Sequence, residues 1–296
     1  MATPATPFAL AAVAAACARY VPSPIRTVER VAGSVGNQDF LVSAHAVDYV
    51  LKAGPGDRLV AEAWACERVR RVGVSAPEIV TVEAQAGSLP LPFLLMRRFP
   101  GGPVDGPSVV ALVEAGRQLR LAHEIELPGY GALAVDEGAA AGSCATWAEF
   151  VEDVTSGLDE LVAADVVTDS LARAAADAIA GAAELHFEEQ ARLVHGDLKR
   201  QHLFADPGRL VGIIDWGDAC AGDPRLDLGR LSMAGMDTLE PFLDGYGSAM
   251  TPELSRALTA YRLVWNVDAL HYEYLAGGDW FASYRQGVES AVACLA

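Results

Sequence analysis

Four titratable residues, His195, Asp197, Lys199 and His202, crowd into one short stretch, LVHGDLKRQHLF at positions 193–204. Apolar runs flank it on both sides, so the polar residues read as a loop between strands. A second polar loop, Asp215-Trp216-Gly217-Asp218, follows the apolar run VGII. Asp197 and Asp215 stand 18 positions apart, and a hairpin-like path between the loops can bring both carboxylates to one spot. Two convergent carboxylates can divide the work. One accepts a proton from an incoming hydroxyl. The other, with His202, ligates a hard divalent cation that neutralises phosphate charge. Taken singly, each aspartate reads equally well as a cap or turn former.

Two groups of elements must position these loops. Residues 7–19 read as a helix stopped by VPSP, and residues 26–53 alternate as three short antiparallel strands. A turn at GPGDRL leads to a helix N-cap at Asp57, and LVAEAWACERVRRV is helical. SAPEIVTVEA and PFLLMRRF read as two further strands, and PGGPVDGP is a breaker cluster. Beyond it the pattern turns helical. VVALVEAGRQLRLAHEI is ended by LPGYGAL, and TWAEFVEDVTSGLDELVAA and LARAAADAIAGAAEL follow. The two polar loops come next, and residues 226–296 are mostly helical. The expected architecture is α+β in two lobes: residues 1–100 a small antiparallel-sheet lobe, residues 101–296 a larger helical lobe.

Composition narrows the function classes. A chain of 296 residues, 52% hydrophobic, can build real cores. Its formal net charge of -17 repels phosphate backbones, so no nucleic acid partner is expected, and it attracts cations or serves solubility alone. Five cysteines at wide, irregular spacing argue against a disulfide framework or zinc site and for a reducing cytoplasm. FALAAVAAACA at 8–18 imitates a signal segment, but Arg19 is the first basic residue, which favours an N-terminal helix. No run is long enough to span a bilayer, so no membrane partner is expected.

HGDLKRQH followed by IIDWGDACAGDPRLDL resembles the aminoglycoside phosphotransferase family, whose pattern is H-G-D-x-x-x-x-N, then I-D-[FW]-x-D/E, then G-D-P-x-x-D. The resemblance extends over nearly the whole chain, PGYG included, and together with the paired loops it favours a catalytic site over two chance turns. It implies a protein-kinase-like fold, ATP or GTP as co-substrate and Mg²⁺. By the same resemblance Asp197 orients or deprotonates the acceptor hydroxyl, Asp215 binds the metal, His195 is architectural, Asp227 braces the catalytic loop, and Asp223 is structural. The family's metal-binding asparagine falls at His202. Macrolide phosphotransferases are similar in placing histidine there and in having Ile-Asp-Trp. His202 therefore either ligates the metal or caps the loop while water completes the metal shell. Lys199 either neutralises the transferring phosphoryl group or is a solvated loop residue.

The nucleotide side rests mainly on the resemblance. Lys52, ending VDYVLK, resembles the lysine that pairs with the α- and β-phosphates. A lysine in an apolar strand needs a partner, either Glu62 or Glu67. The loop AGSVGNQ, with Ser34 between Gly33 and Gly36, would lie over the phosphates. LLMRRFPGG resembles the hinge, with Met96 beside the adenine and the backbone of Arg97 and Phe99 bonding its edge. In YRLVWNVDALHYEYLAGGDW, Trp265, Asp268 and Tyr272 share one helical face, which is either an acceptor surface for an aminated sugar or core with a solvated rim. The expected function is phosphoryl transfer from ATP or GTP to a hydroxyl of a small, cationic acceptor, an aminoglycoside or macrolide. The alternatives are a metabolite kinase acting on an amino alcohol or sugar, and a pseudokinase that binds nucleotide without turnover.

Overall fold

The computed structural model describes residues 8–31, 37–104, 106, 108–182 and 190–296. Ser34, with Gly33 and Gly36, lies outside the described residues. Five antiparallel strands form the N-terminal sheet in the order β1-β2-β3-β5-β4, with β1 Ile25–Arg30, β2 Gln38–Ala44, β3 Asp48–Ala53, β4 Ile79–Glu83 and β5 Phe93–Arg97. Strand β5, FLLMR, is buried at all but its last residue because both faces of the sheet are covered. Phe93 and Leu95 point into one cluster with Phe40, Leu51 and, from helix α1 (Leu10–Cys17), Val13 and Cys17. Leu94 and Met96 point the other way, onto Leu59 and Ala63 of helix α2 (Gly56–Arg71). Fully burying a side chain such as Phe93 contributes about 1.5–3 kcal/mol.

The expected helix N-cap at Asp57 is corrected by two residues. Pro55 is the N-cap of α2, and Asp57 sits in the first turn. A carboxylate there still faces the positive end of the helix dipole. Helix α3 (Val109–Ala122) stops short of the expected HEI, with His123 as its C-cap.

Past β5, the breaker cluster contains a two-residue strand, β6 (Gly102–Pro103), which pairs with β10 (Leu203–Asp206), itself the partner of β11 (Arg209–Ile213). The hairpin β7 (Tyr130–Asp136)–β8 (Ala139–Cys144) was not expected. It joins β12 (Cys220–Gly222) and β9 (Arg192–Val194) in the order β8-β7-β12-β9. The remaining elements are helices: α4 Trp147–Ala163, α5 Asp169–Ala182, α6 Arg225–Ser232, α7 Met236–Tyr246, α8 Pro252–Ala276 and α9 Phe281–Leu295. Helices α3 and α7 pack closely through Gly116 and Gly245, where a Cβ would strike the facing backbone. One large core links the two parts, joining Ala65, Cys66 and Val69 of α2 to Leu112 and Leu119 of α3 and to Leu203, Ile213 and Trp216 around the polar loops. Among the described residues no helix is long and apolar enough to cross a membrane.

Candidate active site

Strand register brings the two polar loops together. Leu203 of β10 pairs with Ile213 of β11, so the residues beyond the pair, His202 and Ile214, must also be neighbours. The Ile214 N–H donates to the His202 carbonyl at 2.9 Å, and Asp215 comes next. There the backbone turns left-handed, at φ 67°, a conformation that aspartate tolerates better than most residues. The turn throws the Asp215 carboxylate back over the first loop. Gly196, at φ 85°, lets that loop pass close to the Asp218 carbonyl, where any Cβ would collide.

Asp215 stands between two nitrogen-bearing side chains from different segments. Lys52 Nζ of β3 donates to Oδ1 at 2.6 Å, and His202 Nε2 lies 3.0 Å from Oδ2. Lys52 also donates to Glu62 Oε1 at 2.6 Å. Glu62 is thus the lysine's partner, while Glu67 stays exposed near Arg71. Burial alone would lower the Lys52 pKa, but the charges of Asp215 and Glu62 outweigh it and raise the pKa well above the ordinary value. The Lys52 charge holds Asp215 well below the usual carboxylate range, with His202 assisting. Burial pushes Glu62 up against the pull of Lys52. The Asp215 side chain is still 41% exposed, so one side of the carboxylate remains open to an incoming group. The other His202 ring nitrogen, Nδ1, lies 2.9 Å from the Asp197 carbonyl oxygen. Both ring nitrogens face oxygen atoms, one on each polar loop.

Asp197 is held on both oxygens. Lys199 Nζ donates to Oδ2 at 2.7 Å, and Arg230 Nε of α6 donates to Oδ1 at 2.7 Å. Burial would raise the Asp197 pKa, but Arg230, Lys199 and His202 together lower it. The loop below is fixed by Asp227, which is wholly buried. Its Oδ2 accepts the His195 N–H at 2.7 Å and lies 2.9 Å from His123 Nε2, and its Oδ1 accepts the Gly196 N–H at 2.9 Å. The Tyr246 hydroxyl lies 2.8 Å from His123 Nδ1. His195 packs against Trp216 and donates from Nε2 to the Ile214 carbonyl at 2.8 Å, and burial lowers its pKa, which favours the neutral ring. Asp223 accepts from Arg225 and from the Tyr261 hydroxyl at 2.8 Å and makes no bond to Asp197 or Asp215.

The three α8 residues face the loops. Trp265 Nε1 donates to the Gly196 carbonyl at 3.2 Å. The Tyr272 hydroxyl receives Arg58 Nη1 of α2 at 2.9 Å, and Arg58 also pairs with Asp218. Asp268 is exposed, yet the surrounding protein and then the carboxylates of Asp218 and Asp153 push its pKa up to about 6. With Asp268 exposed, Tyr272 40% exposed and Trp265 half-buried, this face is not core. At the hinge, Met96 packs onto α2. The Arg97 N–H already donates to the Glu78 carbonyl, which leaves its carbonyl side. The Phe99 ring lies against Gly212.

Sequence reasoning missed Arg230, Arg58, His123 and Tyr246. Arg230 had a usable signal, since it follows Asp227 at i+3 on the same helix face. The other three reach the site from distant segments without a local signal.

Among the described residues no group of three or more His, Cys, Asp or Glu is placed to hold a metal by itself. One open carboxylate suits a hard cation shared with phosphate oxygens and water, as magnesium prefers, so the residues present fit a nucleotide-borne cation.

Residues 27–262 match the phosphotransferase enzyme family (APH). No curated protein matches the chain in sequence. Among solved structures, the aminoglycoside phosphotransferase APH(4)-Ia is similar at 19% identity and a TM-score of 0.75, over 96% of this chain and 99% of that one. A thermostable mutant of it was solved in a ternary complex with ADP and hygromycin B. A protein proposed as a fructosamine-3-kinase from Thermobifida fusca has 19% identity and a TM-score of 0.71, over 96% and 98%. A macrolide 2'-phosphotransferase from Brachybacterium faecium has 19% identity and a TM-score of 0.65, over 96% and 98%. At these identities the likeness carries the fold, an α+β kinase-like architecture.

Proposed function

This chain belongs to the phosphotransferase enzyme family, and from that premise we propose that it moves the γ-phosphoryl group of ATP or GTP to a hydroxyl of an aminoglycoside or macrolide antibiotic. The observation that carries the reading is the convergence of Lys52, Asp215, His202 and Asp197 on one spot. The nucleotide lies between a sheet lobe and a helical lobe that meet near residue 100, with its base beside Met96 at the Arg97 carbonyl and the Phe99 N–H. Lys52, held ready by Glu62, takes the α- and β-phosphate charge. Asp215 and His202 would hold a divalent cation, which when bound neutralises charge on the phosphates.

Asp197 receives the acceptor hydroxyl. As the hydroxyl oxygen bonds to the γ-phosphorus, the bond to the bridging oxygen breaks, the nucleoside diphosphate leaves and the hydroxyl proton passes to Asp197. A carboxylate held at low pKa is a weak base, so its contribution is chiefly orientation, and the proton moves late. Lys199 neutralises charge beside the transfer. His195 keeps the loop in shape.

The α8 face supports an aminated acceptor. Trp265 and Tyr272 offer rings, and Asp268 and Asp218 offer carboxylates to an ammonium. The net charge of -17 favours the approach of such a cation and disfavours nucleic acid. Hygromycin B in the related ternary complex supports the aminoglycoside side, and His202 with Ile-Asp-Trp supports the macrolide side. A sugar acceptor is the second reading, favoured by the likeness to the protein proposed as a fructosamine kinase. Five free cysteines support a reducing cytoplasm, and an antibiotic acceptor makes resistance the cellular role.

The test is acceptor-dependent release of nucleoside diphosphate from Mg-nucleotide against aminoglycosides, macrolides, sugars and amino alcohols. Release stimulated by one class names it. Nucleotide binding without release on any acceptor would point to the pseudokinase, and no nucleotide binding would remove the premise of the site.

A further inference from the structure

Arg230 lies outside the motifs of the two polar loops, yet it is held against Asp197 more rigidly than Lys199 is. Lys199 reaches Oδ2 from the same loop on a flexible stem, and its side chain is 32% exposed. Arg230 reaches Oδ1 from α6, with its side chain 14% exposed. Its guanidinium carbon stands 3.9 Å from the centroid of the Trp265 ring. Trp265 is itself anchored, by its N–H to the Gly196 carbonyl and by Tyr284 edge-on at 5.7 Å. Arg230 Nη1 has a weak contact to Met233 Sδ at 3.8 Å. Tyr284, Trp265, Arg230 and Asp197 therefore form a continuous stack from α9 through α8 and α6 to the catalytic loop, and the Trp265–Gly196 bond ties it back to the residue before Asp197. A planar guanidinium seated on a ring and bonded through Nε fixes both the position and the plane of the carboxylate that it touches.

We infer that Arg230, seated on Trp265, is the positioning residue that aims the Asp197 carboxylate at the acceptor hydroxyl. This rests on the reading of Asp197 as the group that receives the hydroxyl. A carboxylate offers about four lone-pair sites. Arg230 and Lys199 take one each, which leaves room for the hydroxyl while the carboxylate cannot swing. The stack also couples the acceptor surface to the reacting group, since the Trp265 indole belongs to both.

The experiment compares steady-state kinetics of the full chain and its Arg230→Gln, Arg230→Lys, Trp265→Phe and Trp265→Leu variants on the best acceptor of the panel, with thermal unfolding to confirm that each is folded. Arg230→Gln is expected to lower kcat about 10- to 100-fold while the nucleotide KM stays within about twofold. Arg230→Lys keeps the charge without the plane and is expected to recover only a small part of the loss. Trp265→Phe keeps a ring but loses the N–H to Gly196 and should retain more kcat than Trp265→Leu, which should fall with Arg230→Gln. In an Asp197→Asn background, where there is no carboxylate to aim, adding Arg230→Gln should cost less than about twofold in the residual rate. A structural role alone would give the same fold-loss in both backgrounds. That result, or a folded Arg230→Gln with unchanged kcat on an active wild type, overturns this inference alone. A wild-type chain that phosphorylates no acceptor overturns the functional reading as well, so the two failures are told apart.

Discussion

Replacing Asp227 with asparagine tests how the loop that carries Asp197 is held. The carboxylate is fully buried and serves three donors: the His195 and Gly196 backbone N–H groups and His123 Nε2. Asparagine keeps one oxygen. At best that oxygen replaces Oδ2 and retains two of the donors, which turns its NH₂ group toward the Gly196 N–H, donor against donor. One buried N–H then loses its partner, at about 1–3 kcal/mol, and the two surviving bonds weaken from charge-assisted to neutral, at about 1 kcal/mol each. The sum is about 3–5 kcal/mol. At about 2 °C per kcal/mol for a chain of this size, Asp227→Asn should unfold roughly 6–10 °C below wild type in a thermal melt. Any folded variant should lose activity as well, because Gly196 and Asp197 lose their footing. A melting temperature within about 2 °C of wild type would refute the claim that these three bonds anchor the loop.

Other outcomes follow from the same contacts. Asp197→Asn should lower turnover about 10²- to 10⁴-fold while leaving nucleotide affinity nearly intact, as read from kcat and a nucleotide titration. Lys52→Met leaves Glu62 and Asp215 without their shared cation, so both nucleotide affinity and melting temperature should fall, and a combined Lys52→Met/Glu62→Gln change should restore part of the stability. A Mg-nucleotide at about 100 times its Kd should stabilise the fold by about 2.7 kcal/mol, seen as a raised melting temperature. Asp268 has a folded pKa of about 6 against an ordinary 3.8. The folded state therefore holds this proton more tightly, and the site loses stability as pH rises between those values. Asp268→Asn should consequently gain stability relative to wild type at about pH 7.5 compared with about pH 4.5 in paired melts, with solvent exposure moderating the size of the effect.

The convergence of the two polar loops was legible in the sequence because a polar cluster between apolar strands has few structural uses, and because strand pairing of Leu203 with Ile213 leaves the loop ends nowhere else to go. Lys52 and Glu62 were legible for a similar reason, since a cation in a buried strand must be matched. The β7–β8 hairpin was not. GALAVDEGAAAGSC is dominated by alanine and glycine, which blur the period-two contrast that marks a strand, and only the Glu137-Gly138 turn remained as a signal. Strands β6 and β12 are too short to show any period. His123 closed a helix in the sequence reading, but its side chain is spent on Asp227, 104 residues away. Contacts of that range depend on packing that no local pattern encodes. Arg230 lay between these cases, within reach of an i, i+3 argument from Asp227 and not drawn from it.

The most direct test is the covalent product. Each acceptor of the panel is incubated with Mg-ATP and wild type or Asp197→Asn, and the mixture is examined by mass spectrometry with parallel counting of ADP. The expected result is a phosphomonoester of one acceptor class, formed one for one with ADP by the wild type and nearly absent with the variant. ADP formed at the same rate with and without every acceptor, with no phosphorylated product, would contradict phosphoryl transfer to a small-molecule hydroxyl.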